Sequence, residues 1–105
     1  MAKIPDRVRK IIDSYLKSLR DNHVPIEQAV LFGSYAQGQY KEWSDIDIAL
    51  VSEIFEGKRF EDRGKIRRIN LSVSSDLEVL PYRPEDFMPA DPFVREIMET
   101  GVKIA

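Results

Sequence analysis

Four acidic residues occur in two pairs with strand-like spacing, and these residues are the best suited in the sequence to metal chemistry. Asp45 and Asp47 lie two positions apart, as do Asp76 and Glu78, and both pairs alternate with apolar residues. In a strand, residues i and i+2 share one face at a spacing of about 6.6–7 Å. Two carboxylates about 6 Å apart repel by roughly 2.5–3 kcal/mol at an effective dielectric constant of ~20. Because acids are uncommon in strands, the pattern favours a cation-binding role.

A third carboxylate on a neighbouring strand would complete a cation site, since adjacent strands lie about 4.8 Å apart. Asp76 and Glu78 are the two candidates for this position. Three carboxylates suit two Mg²⁺ ions about 3.5–4 Å apart, with Mn²⁺ as an alternative. The absence of cysteine and the single histidine disfavour zinc. The alternative interpretation is a sheet face in water with its acids turned outward, and the Asp-x-Asp pair alone does not exclude it.

A glycine–serine turn precedes the first acidic pair. Gly33 and Ser34 follow the apolar run 29–32 and precede a short helical stretch, 35–38. A helix N-terminus exposes backbone N–H groups that attract anions, glycine lets a phosphate approach the backbone, and the serine hydroxyl adds a donor. The lysine pattern of a P-loop is missing. The turn is therefore a simple phosphate site or, alternatively, an ordinary helix start with a serine cap.

Hydrophobic periodicity predicts the elements that must position these residues. Pro81 is expected to end the strand that carries the second acidic pair, and Phe60 and Leu71 are expected to face inward from a helix. The whole pattern predicts an α/β (α+β) fold, a small mixed β-sheet with helices on one face, in a single domain spanning 1–105. The predicted helices are 5–22, 58–71 and 92–99, and the predicted strands are 29–32, 45–51, 76–80 and 102–104.

Composition and charge exclude several classes of protein. A length of 105 residues allows one domain, and a net charge of −2 argues against a general nucleic-acid coat. No apolar run approaches the ~20 residues of a membrane span, and the N-terminus lacks the apolar core of a secretory signal. A cytoplasmic location is therefore expected. Six basic residues between 58 and 68 are expected to form a solvated helix face.

The glycine–serine turn and the first acidic pair together resemble the signature of a known family. The segments 31–38 and 44–50 are similar to the signature of the DNA polymerase β-like nucleotidyltransferases, with the correct spacing. They most resemble the minimal nucleotidyltransferase (MNT) group, whose members are often antitoxins beside a HEPN-domain protein. Two positions depart from the family pattern. Gln37 stands where many relatives have a basic residue, and Ser75 precedes Asp76 where an apolar residue is expected.

The resemblance implies Mg²⁺-dependent transfer of a nucleotidyl group, AMP from ATP or the equivalent from another NTP, to a hydroxyl of a protein or nucleic acid. Gly33 and Ser34 would hold the triphosphate. Asp45 and Asp47 would bind two Mg²⁺ ions. Asp76 would bind one of these ions and help to activate the attacking hydroxyl, with Glu78 as the fallback. Catalysis would depend on positioning and charge neutralisation.

The resemblance also implies a partner. Larger members of the superfamily carry additional domains that hold the acceptor, so here that platform is expected to be missing or to come from another subunit. In the minimal group the usual partner is a HEPN-type helical protein encoded nearby. In some of these toxin–antitoxin pairs the nucleotidyltransferase transfers AMP to a tyrosine of the toxin. Nothing in the sequence suggests a membrane partner, and a homo-oligomer is left open.

Two other functions compete with the enzyme. One is a non-catalytic binding module that neutralises a helical partner through its apolar and basic surfaces. The other is an Asp-x-Asp phosphohydrolase, which is disfavoured because in this chain the apolar strand follows the acidic pair. Two aromatic residues near the acidic pair are assigned to packing: Trp43 is expected to lie under its loop, and Tyr35 is expected to cover the strand.

Overall fold

The computed structural model describes residues 4–105, in which helices and strands alternate along the chain. Residues 1–3, which begin the segment expected to lack a secretory signal, lie outside the described residues. No helix within residues 4–105 has the length and hydropathy needed to cross a bilayer. The elements are α1 (Asp6–Asp21), β1 (Gln28–Phe32), α2 (Ser34–Gln37), β2 (Ile46–Val51), α3 (Arg59–Val73), β3 (Leu77–Tyr82), a 3₁₀ turn (Pro84–Asp86), α4 (Pro92–Thr100) and β4 (Val102–Lys103).

The strands form one mixed sheet in the order β3-β2-β1-β4. β1 pairs antiparallel with β2 and places Phe32 opposite Asp47, and β3 pairs parallel with β2 and places Glu78 opposite Asp47. The end of β1 therefore lies beside the beginnings of β2 and β3. This topology brings the glycine–serine turn and both acidic pairs to one end of the sheet. The predicted mixed α/β fold is confirmed.

The first face of the sheet is covered by α1, α2 and α3. Buried side chains recur along α1 at helical spacing: Val8, Ile12, Tyr15, Leu16 and Leu19. They pack against the apolar residues of β2 that point to the same face: Ile46, Ile48 and Leu50. Burial raises the pKa of the Tyr15 hydroxyl. This large core holds β2 in place and leaves the alternate residues of the strand to the second face.

The second face carries α4, so the expectation of helices on one face holds only for the first three helices. Val94 and Ile97 of α4 pack over Val30, Ala49 and Val51. The reason lies in β2, where the row that starts with acidic residues continues with small apolar ones. The apolar side chains of that row are buried from water by α4, which packs over them. The acidic half stays open at the other end of the strand.

β3 continues beyond its predicted end. Pro81 was expected to break the strand, but it pairs with Leu50, and β3 runs to Tyr82. The reason is the position of β3 at the edge of the sheet. A proline without an N–H is tolerated there, because one side of an edge strand has no hydrogen-bonding partner to lose.

The inward face of α3 differs from the expectation. Phe60 and Leu71 are exposed rather than buried, and Asp62 and Ile66 point inward. The Asp62 carboxylate accepts hydrogen bonds from the backbone N–H groups of residues 56–58, at 2.9–3.0 Å. A buried carboxylate is stable when its oxygens are hydrogen-bonded in this way. Asp62 thereby fixes the loop before α3 and occupies the inward side of the first turn, which leaves Phe60 exposed.

Candidate active site

Asp47 lies directly against the glycine turn at the end of β1. Gly33 has φ +76° and ψ −151°, a conformation that favours glycine strongly. A Cβ atom added to Gly33 would lie 3.2 Å from Cγ of Asp47 and would collide with its Oδ2 atom. The absence of a side chain at Gly33 therefore gives the Asp47 carboxylate its place. The two halves of the sequence motif are in contact.

The Asp47 carboxylate is short of positive charge. Its pKa is raised from an ordinary value of 3.8 to about 6 by burial, by the neighbouring Asp45 carboxylate and by the Glu78 carboxylate. Burial disfavours the charged form of an acid, and nearby negative charges act in the same direction. A cation at this position would reverse both effects. The structure thus brings Asp45, Asp47 and Glu78 into one electrostatic group.

Glu78 and Asp76 have different surroundings. Glu78 faces Asp47 across the β2–β3 pair, and its carboxylate lies 3.6 Å from the Arg63 guanidinium. Asp76 precedes β3, and its carboxylate accepts a hydrogen bond from Arg7 of α1 at 3.3 Å. The two members of the second acidic pair therefore have different basic partners, Arg63 for Glu78 and Arg7 for Asp76. Of its two members, the fallback Glu78 is the one whose charge raises the pKa of Asp47.

The carboxylates do not form a closed cage. Within residues 4–105, no three acidic, histidine or cysteine side chains are gathered closely enough to form a ready-made metal site. Asp45 and Glu78 are exposed, whereas Asp47 is half-buried. Like charges without a cation between them repel one another. An open arrangement of these three side chains is what that repulsion favours.

Space for a ligand lies beside the glycine turn. A cavity of about 210 Å³ is bounded by Gly33, Gln37 and Phe93. Ser34 is the first residue of α2 and is half-buried. The first N–H groups of any helix have no partner within the helix. Gly33 thus borders this cavity and also lies against the Asp47 carboxylate.

Arg7 contributes to this end of the molecule and was missed by the sequence analysis. Its guanidinium donates to the Tyr35 hydroxyl at 3.2 Å as well as to Asp76. The Tyr35 ring is buried and stacks on Tyr40 with 4.8 Å between ring centroids. Arg7 lies 28 positions from Tyr35 and 69 from Asp76 in sequence. No local pattern could have indicated the link between these residues.

Trp43 corrects another expectation. The side chain was expected to pack under its loop, but it is 77% exposed. The loop 39–44 lies outside both cores and offers no apolar surface to cover the indole ring. The expectation for Tyr35 is confirmed, because its ring is buried in the first core.

Comparison with known proteins decides the family. The model of the nucleotidyltransferase domain matches residues 12–104, which include the glycine turn and both acidic pairs. The chain belongs to the nucleotidyltransferase domain family. The resemblance drawn from segments 31–38 and 44–50 is thereby confirmed.

Curated relatives of this nucleotidyltransferase chain come from Methanocaldococcus jannaschii. Four of them carry the name "putative protein adenylyltransferase". One is 36% identical over 75 residues, which span 70% of this chain and 72% of the relative. Two others are 39% and 41% identical over 46 residues, which span 44% and 43% of this chain. In those two alignments the chain spans about half the length of the relatives, 52% and 46%.

Solved structures share the nucleotidyltransferase fold. One, described as a "putative nucleotidyltransferase" from Sulfolobus solfataricus, gives a TM-score of 0.68 at 21% identity and covers 92% of this chain and 78% of its own. Another is described as a toxin–antitoxin with AMP-PNP, and it gives a TM-score of 0.63 at 24% identity, covering 89% and 71%. At these identities the likeness concerns the fold.

The chemistry of the donor groups fits a hard divalent cation. Asp45, Asp47 and Glu78 supply only carboxylate oxygens, which are the ligands that Mg²⁺ and Mn²⁺ prefer. The pKa of Asp47 is raised first by burial and then by the charges of Asp45 and Glu78, and a cation would oppose both effects. The neighbouring glycine turn borders the cavity of about 210 Å³. The site thus places a group of carboxylates beside a glycine turn.

Proposed function

We propose that the chain transfers AMP from ATP to a hydroxyl group of a protein, in an Mg²⁺-dependent reaction. The observation that carries this proposal is the contact between the Asp47 carboxylate and the Gly33 turn, beside Asp45 and Glu78. The reaction needs a turn that binds polyphosphate beside carboxylates that would hold Mg²⁺, because the cation would supply positive charge to the phosphates.

The comparisons support the choice of AMP and of a protein acceptor. The curated relatives are named as protein adenylyltransferases, and one structural neighbour contains AMP-PNP. Another structural neighbour is described as the toxin–antitoxin MntA-HpeT. On this basis we propose that the present chain also acts with a toxin–antitoxin partner. The HEPN type of that partner and a cytoplasmic location remain predictions from the sequence.

Each residue of the site has a definite task in this reaction. Gly33 lets the triphosphate approach the backbone, and the Ser34 hydroxyl donates to a phosphate oxygen. Asp45, Asp47 and Glu78 would hold the Mg²⁺ ions. Bound Mg²⁺ neutralises the triphosphate and stabilises the charge that develops on its oxygens. Position and charge, rather than a covalent enzyme intermediate, would provide the catalysis.

The chemical step is a substitution at the α-phosphorus of ATP. The acceptor oxygen forms a bond to this phosphorus, the bond to the bridging oxygen of the β-phosphate breaks, and pyrophosphate leaves. The proton of the acceptor hydroxyl passes to a carboxylate at the second acidic pair. Glu78 is the proposed acceptor of that proton because it faces Asp47. Asp76 stays a prediction for this task, since its carboxylate is engaged by Arg7.

The test uses ATP labelled at the α-phosphate, MgCl₂ and the protein encoded by the neighbouring gene. Label should appear on the neighbouring protein with the wild-type chain and fall by at least about 10³-fold with Asp45→Asn/Asp47→Asn, a loss of about 4 kcal/mol in transition-state stabilisation. Asp13→Asn is the matched control, because Asp13 is an exposed acid on α1 far along the chain from the turn. Label on RNA and none on protein would contradict the proposed acceptor class.

A non-catalytic binding module is the second candidate, and the exposed apolar residues of α3 favour it. The same double variant separates the two functions. Full neutralisation of the partner by Asp45→Asn/Asp47→Asn would support the binding module. Loss of neutralisation together with loss of labelling, with the fold retained by circular dichroism, would support the enzyme.

A further inference from the structure

One stripe of α3 faces away from the core and carries an exposed apolar residue near each end. Phe60, Gly64, Arg67 and Leu71 lie at helical positions i, i+4, i+7 and i+11, so they share one side of the helix. The Phe60 ring is 87% exposed and Leu71 is 62% exposed. A Cβ added to Gly64 would meet no atom within 4 Å. The stripe therefore has a large apolar group near each end and a gap between them.

This stripe forms one wall of a groove along the edge of the sheet. The groove has a volume of about 460 Å³, and its other wall is β3, through Leu77, Glu78 and Val79. We call it the edge groove. Within residues 4–105, no strand pairs with the outer side of β3. An apolar wall beside an unpaired strand edge is the arrangement that extended peptides recognise by strand addition.

The backbone of β3 presents hydrogen-bonding groups to the edge groove. The N–H groups of Ile46 and Ser52 donate to the carbonyl groups of Asp76 and Tyr82, so the even-numbered residues of β3 face β2. The odd-numbered Val79 then directs its N–H and C=O toward the outer side. An added strand would satisfy these two groups. Burial of polar backbone groups needs such a partner.

The charges of the edge groove indicate the chemistry of its occupant. Arg63 and Arg67 lie on its helical wall, and the other basic residues of α3 are exposed as the sequence predicted. A second copy bound through a two-fold axis would place this basic helix against itself, which like charges disfavour. A nucleic acid would bring phosphates beside Glu78, and it cannot pair with a strand edge. An apolar peptide with acidic flanks suits both walls.

We propose that the edge groove binds an extended segment of the acceptor protein, apolar at its centre and acidic at its flanks, as a strand added to β3. The proposal rests on the proposed function and names the part of the acceptor that is recognised. Glu78 links the groove to the site, because it lines the groove and also faces Asp47. A strand added to β3 would lie about 9.6 Å from β2, two strand spacings away. Side chains of that strand that point to the second face would lie on the same side of the sheet as Asp47 and Glu78.

The test uses two fluorescein-labelled peptides with the centre Val-Leu-Tyr-Val, one flanked by Asp-Glu and Glu-Asp and the other by lysines. The full chain should bind the acidic peptide at least about tenfold more tightly than the basic one. Gly64→Trp should fill the groove and weaken binding of the acidic peptide about tenfold, whereas Gly64→Ala should leave it unchanged. Leu71→Glu is a second variant, since an exposed position tolerates it without loss of the fold. Hydrogen exchange should slow at the Val79 amide when the acidic peptide binds.

Three results would overturn the proposal. The first is equal affinity for the two peptides, or affinity that neither Gly64→Trp nor Leu71→Glu changes. The second is dimerisation by light scattering that Arg67→Glu abolishes, which would assign the groove to a second copy. The third is tighter binding of a labelled ribo-oligouridine than of the acidic peptide. Asp47→Asn should bind the acidic peptide like the wild type. Peptide binding without transfer of AMP to its tyrosine would support the groove and contradict the proposed function.

Discussion

The two faces of β2 differ in a way that separates stability from chemistry. On the first face, Ile46, Ile48 and Leu50 are completely buried beneath the long helices. On the second face, the half-buried Asp47 begins a row that continues through buried Ala49 and Val51. One face is thus apolar along its whole length, whereas the other changes from charged to apolar within a few residues. A single strand fixes the fold with one side and presents a reactive group with the other.

The partial cover on the second face explains why the carboxylates are accessible. α4 packs over the apolar half of the face. Tyr82 and Phe87 complete this smaller core, with their rings in an edge-to-face arrangement and 5.3 Å between the ring centroids. The acidic half adjoins the Gly33 turn, and there Asp45 is exposed and Asp47 half-buried. This end of the face is where the proposed cation and triphosphate would bind. Substitutions on the two faces should therefore have different consequences.

The largest expected effect is loss of stability on the fully apolar face. Ile48→Ala should destabilise the fold by about 2–5 kcal/mol, because it removes a completely buried side chain and leaves a cavity. Leu80→Ala is the comparison, since Leu80 lies on the second face and is half-buried. Leu80→Ala should lower the free energy of unfolding by about 1 kcal/mol. Urea unfolding followed by circular dichroism measures both values, and equal losses would contradict the unequal roles of the two faces.

An effect of intermediate size should distinguish the two members of the second acidic pair. Glu78→Gln should lower AMP transfer by about 10- to 100-fold, which corresponds to about 1.4–2.8 kcal/mol. The reason is that Glu78 faces Asp47 and acts on its charge. Asp76→Asn should lower transfer by less than about fivefold, because Asp76 pairs with Arg7. Initial rates of labelling at saturating ATP compare the two variants.

The opposite order of rates would restore Asp76 as the third carboxylate. Arg7→Gln provides a further check, because it removes the ion-pair partner of Asp76 and leaves the four acidic residues themselves unchanged. If Asp76 bound the metal, Arg7→Gln would release it and raise transfer. If Glu78 has that task, Arg7→Gln should leave the rate near that of the wild type. The comparison therefore decides between the two acids in two independent ways.

Local pattern was enough to predict the elements and the motif. Helical spacing predicted α1, and alternation of acids with apolar residues predicted β2 and β3, because both signals depend on neighbours in sequence. The family could also be recognised, since the glycine turn and the Asp-x-Asp pair lie close together along the chain. Contact between Gly33 and Asp47 follows once β1 and β2 pair antiparallel. These features need no knowledge of distant contacts.

Distant contacts decided the features that the sequence analysis missed. Asp62 faces inward because it binds the loop before α3, and this displaces Phe60 outward. Pro81 stays within β3 because that strand lies at an edge of the sheet. Asp76 accepts a hydrogen bond from Arg7 of α1, a contact that no local pattern indicated. Each outcome depends on tertiary position, which neither propensity nor periodicity records.

The smallest expected effect is a gain of stability on the charged half of the second face. The pKa of Asp47 is about 6 in the folded chain against an ordinary value of 3.8. Between these values the folded state binds more protons than the unfolded state, so the free energy of unfolding falls as pH rises. Below about pH 4 the side chain is protonated in both states and the difference disappears. Above about pH 6 the ionised carboxylate destabilises the fold fully.

Asp47→Asn should therefore raise the free energy of unfolding of the metal-free chain by about 1–2 kcal/mol at pH 7.5. This is less than the whole pKa shift of Asp47 would give, because the side chain is partly solvated. The midpoint of thermal unfolding should rise by about 5–10 °C. At pH 3.5 the wild type and Asp47→Asn should have the same midpoint of thermal unfolding. At pH 7.5 Mg²⁺ should reduce the difference between their midpoints, because a cation beside Asp47 relieves the same repulsion. A wild type that is the more stable of the two in EDTA at pH 7.5 would show that Asp47 is already well compensated in the fold, and the case for a cation beside the Gly33 turn would fail.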